Sequence, residues 1–141
     1  MKKKTLPLEI RTITEYKLSH IQEIKNELRR YKLDMMPSQT PSYSGMPGGG
    51  DPEARPMEDL AIKFATDCYI FEMERTIKAY DKVLSKTDKQ DLKLIDMVYW
   101  KQSHTKEGAA LACHMSKTAA YEHINTILCR LAEEMGYINV R

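Results

Sequence analysis

Five side chains near the C-terminal end carry chemistry suited to the edge of a nucleic-acid base: Lys117, Thr118, Tyr121, Glu122 and Asn125. Lysine donates, glutamate accepts, asparagine does both, threonine offers a hydroxyl and a methyl, and tyrosine stacks. At 3.6 residues per turn these positions share one side of the first turns of a helix. In a major groove Lys117 would reach a guanine or a phosphate, and Glu122 would accept from a cytosine amine. Asn125 would meet an adenine or the backbone, and Thr118 a thymine methyl. A second set, Lys101, His104, Thr105, Lys106 and Ser116, falls around the starts of two helices. Unsatisfied amides and the positive end of the helix dipole favour phosphate there.

Two helices must position these groups. The periodicity predicts a short helix from about Lys106 to Cys113, a break at His114-Met115, and a long helix from Lys117 to about Met135. Thr105 and Ser116 are the N-caps, because a hydroxyl there accepts from first-turn amides. Ala109, Ala110 and Ala112 let the first helix approach the second closely. Ala120, Ile124, Ile127 and Leu131 recur at intervals of four, three and four, and so form the core-facing stripe opposite the polar set. This is the outline of a helix-turn-helix. His114 occupies the turn position where glycine is usual, because positive φ costs a side-chain-bearing residue more. An ordinary helical hairpin shares the same pattern.

Of the chain's 141 residues, 30% are charged, yet the formal net charge is only +2. Bulk charge therefore does not announce a polyanion-binding protein. The distribution is uneven: residues 1–33 hold nine Lys or Arg against four Asp or Glu, and residues 34–84 hold five against nine. The basic segment could meet phosphate, or meet the acidic one within the chain. The three cysteines, Cys68, Cys113 and Cys129, are odd in number and irregularly spaced, which fits a reduced, cytoplasmic setting. No signal peptide or apolar run of membrane length is expected. Cys113, His114, His123 and Cys129 do not form the spaced pairs of a zinc motif, so no metal and no cofactor is expected. Ser103-His104 are sequence neighbours, not a nucleophile and base converging from separate elements, and nothing else suggests an enzyme.

The remaining elements read as an all-α fold. A long helix is expected from about Thr5-Leu6-Pro7 to Leu33, with Ile10, Ile13, Ile21, Ile24, Leu28 and Tyr31 on one face and the repeat interrupted at Lys17 and His20. So thin a stripe needs a partner, either a later helix or another copy of the chain. Residues 34–56 hold five of the six prolines and four of the six glycines and read as a flexible linker. Within it Gly48-Gly49-Gly50 lacks the context of a phosphate loop. A second long helix, Met57 to Leu84, carries Ile62, Tyr69, Met73, Ile77, Tyr80 and Leu84 as its stripe and is the expected hub. Thr87 and Gln90 read as a capping box opening a helix from Asp88 to Lys101. The expected organisation is an oligomerisation and partner-binding region, 1–84, and a DNA-binding helix-turn-helix domain, 85–141.

The run LKLIDMVYWKQSHTKEGAALACHMSKTAAYEHINTILCRLAEEMG resembles region 4 of bacterial sigma factors in helix order and cap spacing. With the linker motif SYSGMPGG and the two preceding helical stretches, the chain resembles phage late-gene transcriptional regulators of the RinA/ArpU kind. That resemblance implies a DNA-binding activator of phage late genes in the bacterial cytoplasm, with double-stranded DNA and host RNA polymerase as partners. It places Lys117, Thr118, Tyr121 and Glu122 toward the major groove. No segment resembles the promoter-melting region 2 of a sigma factor. The apolar faces of the two long helices point to a homodimer, and without an apolar run of membrane length no membrane partner is expected. A small terminase subunit, which also joins a helix-turn-helix to oligomerising helices, is the alternative.

Overall fold

The computed structural model describes residues 5–36 and 54–139. Among these the chain is all-helical, without a strand. Its helices are α1 (Leu8–Ser19), α2 (Ile21–Met35), α3 (Ala54–Thr66), α4 (Cys68–Ser85), α5 (Lys89–Ile95), α6 (Lys106–Ala112) and α7 (Lys117–Glu134). A π-helical turn, Asp96–Trp100, continues α5. Among the described residues no helix is long and apolar enough to cross a membrane. Both ends of the proline- and glycine-rich stretch are helical, since α2 runs to Met35 and α3 begins at Ala54. The motif SYSGMPGG and Gly48-Gly49-Gly50 lie outside the described residues.

Each of the two long helices expected from periodicity breaks once. The first breaks at His20, which closes α1 and opens α2 with φ −109° and ψ 15°. Its ring stacks on Tyr16 at 4.3 Å, and Nδ1 lies 2.8 Å from the Tyr16 carbonyl oxygen. The second breaks at Asp67, whose carboxylate accepts from the amides of Tyr69 and Ile70 and from the Tyr31 hydroxyl at 2.7 Å. The Tyr31 bond, then the Ile70 amide, holds this carboxyl below its ordinary range. A break resets the angular position of every later residue, so the buried face of α4 differs from the stripe expected for one continuous helix. On α4, Ile70, Ala79 and Val83 are buried beside Tyr80 while Tyr69 is exposed, and Ile62 on α3 is exposed as well.

The Thr87–Gln90 capping box does not form. Asp88 holds the N-cap position of α5, and the Thr87 hydroxyl instead donates to the Val83 carbonyl at 2.8 Å. Gln90 reaches further, donating its amide to the Cys113 carbonyl at 3.1 Å, which ties α5 to the end of α6.

Helix α7 joins the two parts of the core. Its first half buries Ala120 with Leu94, Ala109, Ala110 and Cys113. Its second half packs Ile124, Ile127, Leu128 and Leu131 with Leu18, Tyr80, Val83 and Ile95. The 84/85 boundary expected from sequence therefore runs through one apolar core. The N-terminal stretch finds its partners within the chain: α1 packs on α7 and the π turn, and α2 packs on α4. Lys17, an interruption in the apolar repeat, donates to the Tyr137 hydroxyl at 2.6 Å and lies over its ring. Opposite charges also meet within the chain, with Lys25–Asp81 at 2.9 Å and Lys32–Glu74 at 2.6 Å.

Candidate nucleic-acid interface

Both expected caps around α6 and α7 form. Thr105 Oγ1 accepts from the Gly108 amide, and Ser116 Oγ from the Ala119 amide, each at 3.1 Å. Between them His114 has φ 57°. Its N–H donates to the Leu111 carbonyl at 3.1 Å, and the Met115 N–H donates to the Ala110 carbonyl at 2.9 Å. This is the Schellman pattern, which satisfies carbonyls that a helix end leaves without amides. The end of α7 repeats it with Gly136 at φ 75°, where the Gly136 N–H donates to the Glu133 carbonyl and the Tyr137 N–H to the Ala132 carbonyl. Histidine thus does at the first turn what glycine does at the second, at a cost of about 1–2 kcal/mol for left-handed backbone.

The stripe that faces inward on α7 is buried throughout, with Ala120, Ile124, Ile127 and Leu131 at 2% exposure or less. The alanines Ala109 and Ala110 meet it, and their small size permits the close approach of α6. On the opposite side Lys117, Thr118 and Glu122 are exposed, while Tyr121 and Asn125 are half-buried.

Tyr121 is the centre of a cluster drawn from both helices. Lys106 Nζ stands 5.5 Å and Lys117 Nζ 5.9 Å from its ring centroid. Its hydroxyl donates to Glu107 Oε1 at 2.6 Å, and the same oxygen lies 3.7 Å from Lys117 Nζ. Glu107 carries no sequence signal that marks it for this face. In the first turn of α6 it reads as an acid complementing the helix dipole, and only the crossing of the helices sets it beside a tyrosine fourteen positions later. The Tyr121 bond, ahead of its other neighbours, holds the Glu107 carboxyl low, and the same bond pushes the Tyr121 hydroxyl up.

Of the other residues expected to meet phosphate, Lys101 and His104 have partners of their own. Lys101 Nζ pairs with Asp96 Oδ2 at 3.1 Å on the exposed surface. His104 Nδ1 lies 2.8 Å from Ser103 Oγ, an exposed bond between chain neighbours. The π turn aims this segment. Lys101 N–H bonds the Asp96 carbonyl, Ser103 and His104 N–H both reach the Met97 carbonyl, and Gln102 takes φ 53°. Trp100 Nε1 anchors the turn on the Leu18 carbonyl at 3.0 Å. His123 of α7 sets Nδ1 2.7 Å from Asp91 Oδ1 of α5. Cys113 and Cys129 are buried, and among the described residues no three His, Cys, Asp or Glu side chains are grouped to hold a metal.

Comparison with known proteins yields no match, whether to a family model, a curated protein or a solved structure.

Proposed function

We propose that this protein is a sequence-specific DNA-binding activator of phage late-gene transcription that works with host RNA polymerase. In this reading α6, its turn and α7 are a helix-turn-helix. The observation that carries it is the two-sided character of α7. One face is anchored in the core, while the other presents Lys117, Thr118, Tyr121, Glu122 and Asn125 from its first turns, beside a capped, close-packed α6. A recognition helix needs this division, because base edges are read only by side chains that a rigid scaffold holds in the groove. Lys101, His104, Thr105, Lys106 and Ser116 are assigned to phosphate. The Thr105 and Ser116 oxygens accept backbone amides, which leaves each hydroxyl proton to donate to a phosphate oxygen.

Activation needs a second surface, since this chain has nothing resembling a melting region. The helical half formed by α1–α4 is assigned to that contact and to a homodimer. Leu33, Met57, Ile62 and Phe71, exposed on α2, α3 and α4, supply apolar area for such contacts. A small terminase subunit would use the same exposed residues to build a ring. Light scattering on the purified protein separates the two, a dimer supporting the activator and a many-membered ring the terminase. The decisive experiment is footprinting on genomic DNA beside its gene, followed by run-off transcription from the protected site with host holoenzyme. Full occupancy without added transcript would overturn the activator reading.

A further inference from the structure

We propose that Glu107 is a specificity-determining residue of the DNA-reading face: it orients Tyr121 between Lys106 and Lys117 and withholds the Lys117 charge from phosphates of non-cognate DNA. The inference rests on the DNA-binding reading above and adds to it an acidic residue with no place in the assigned contact set. Four contacts carry it. The Tyr121 hydroxyl reaches Glu107 Oε1 at 2.6 Å, Lys117 Nζ stands 3.7 Å from the same oxygen, and both lysines lie within 6 Å of the ring centroid.

The consequence follows from how the two kinds of DNA complex gain affinity. Binding to random sequence is almost wholly the gain from placing cations on phosphates and releasing counterions. A carboxylate beside Lys117 weakens that gain twice, by competing for the ammonium and by repelling the phosphate. At a cognate site Tyr121 and Lys117 meet base edges, and a ring already held by Glu107 loses less freedom on docking. Glu107 therefore lowers affinity for random DNA more than affinity for the cognate site. Discrimination is a difference of affinities, so a repulsive element raises it without any new attractive contact.

The test uses the full chain and its Glu107→Gln variant, in which the amide oxygen still accepts from Tyr121 but the charge is gone. Each is titrated with a duplex carrying the footprinted site and with a random duplex, across a salt series. The variant is expected to bind random DNA several-fold more tightly and to lose cognate preference by a similar factor. Its slope of log K against log salt should steepen by up to about one. Tyrosine absorbance followed through alkaline titration, with Tyr121→Phe identifying the component, should show Tyr121 ionising at lower pH in Glu107→Gln than in the parent. Unchanged random-DNA affinity and slope beside a parent that discriminates overturns the role of Glu107 and leaves the DNA reading standing. A Tyr121 titration unmoved by the substitution overturns the coupling. A parent that binds neither duplex overturns the DNA reading, and this assignment with it.

Discussion

His114 shows how one residue can carry a turn against its own preference. Its left-handed backbone is held by its N–H bond to the Leu111 carbonyl and by the Met115 bond to Ala110, and its side chain is exposed to solvent. Replacing it with glycine should therefore stabilise the protein, by about 0.5–1 kcal/mol once the extra freedom of unfolded glycine is set against the relieved strain. Denaturant unfolding checks this as a raised midpoint at unchanged slope. On the reading face, the roles proposed for Asn125 and Lys106 separate by sequence dependence. Asn125→Ala should cost about 1–3 kcal/mol at the footprinted site and little on random DNA. Lys106→Ala should weaken both complexes and lower the salt slope by about one. Equal loss on both duplexes for Asn125→Ala would reassign it to the backbone.

At the scale of elements, caps decide where helices begin, and in this chain they also decide which side chains face outward. Ser116 sets the first turn of α7 through the Ala119 amide. Ser116→Ala should cost about 1 kcal/mol of stability, and cognate DNA affinity should fall with it, measured by thermal unfolding and titration on the same sample. The junctions between elements depend on buried tyrosines. Tyr80 is fully buried and donates to the Thr14 carbonyl at 3.0 Å, joining α4 to α1. Tyr99, in the π turn, donates to Glu15 at 3.3 Å. Burial, before any charged neighbour, pushes both hydroxyls well above the ordinary range. A folded pKa raised above the unfolded one means stability that is complete below the unfolded value, about 10, and lost as pH climbs toward the folded value. Unfolding free energy should thus fall above about pH 10, and Tyr99→Phe should flatten that fall. An unchanged alkaline slope in the variant would show that Tyr99 is not a source of it.

Across the whole molecule, the proposed DNA-reading unit does not own its core. Ile124, Ile127, Leu128, Leu131 and Ala132 of α7 pack in the same cluster as Leu18, Ile21, Ala79, Tyr80 and Val83 from the first 84 residues. A fragment of residues 85–141 would expose that side of α7, with each fully uncovered large aliphatic side chain forfeiting about 1.5–3 kcal/mol. The fragment should be largely unfolded alone, seen as weak helical circular dichroism and poor amide dispersion, and should bind DNA weakly for that reason. A well-folded fragment would show that α1 and α4 are dispensable to the core.

Much of this was legible in the chain because local rules dominate where it is tightest. The all-helical class, the caps Thr105 and Ser116, the turn at His114 and the inward stripe Ala120, Ile124, Ile127 and Leu131 follow from hydroxyl placement and a 3.6-residue period, which act within a few positions. The same rules failed where a polar residue inside an apolar run could be either a face or a break. Asp67 ends one helix and caps the next, with Tyr31, far off in the chain, donating to the same carboxylate, and the Gln90 amide leaves the expected capping box for the Cys113 carbonyl. The setting of Lys17 against Tyr137, the sharing of one core across residue 84, and the meeting of Glu107 with Tyr121 needed helices to cross. Periodicity records which face of a helix is apolar. Only packing decides which other helix that face meets, and at what angle the polar side chains around it converge.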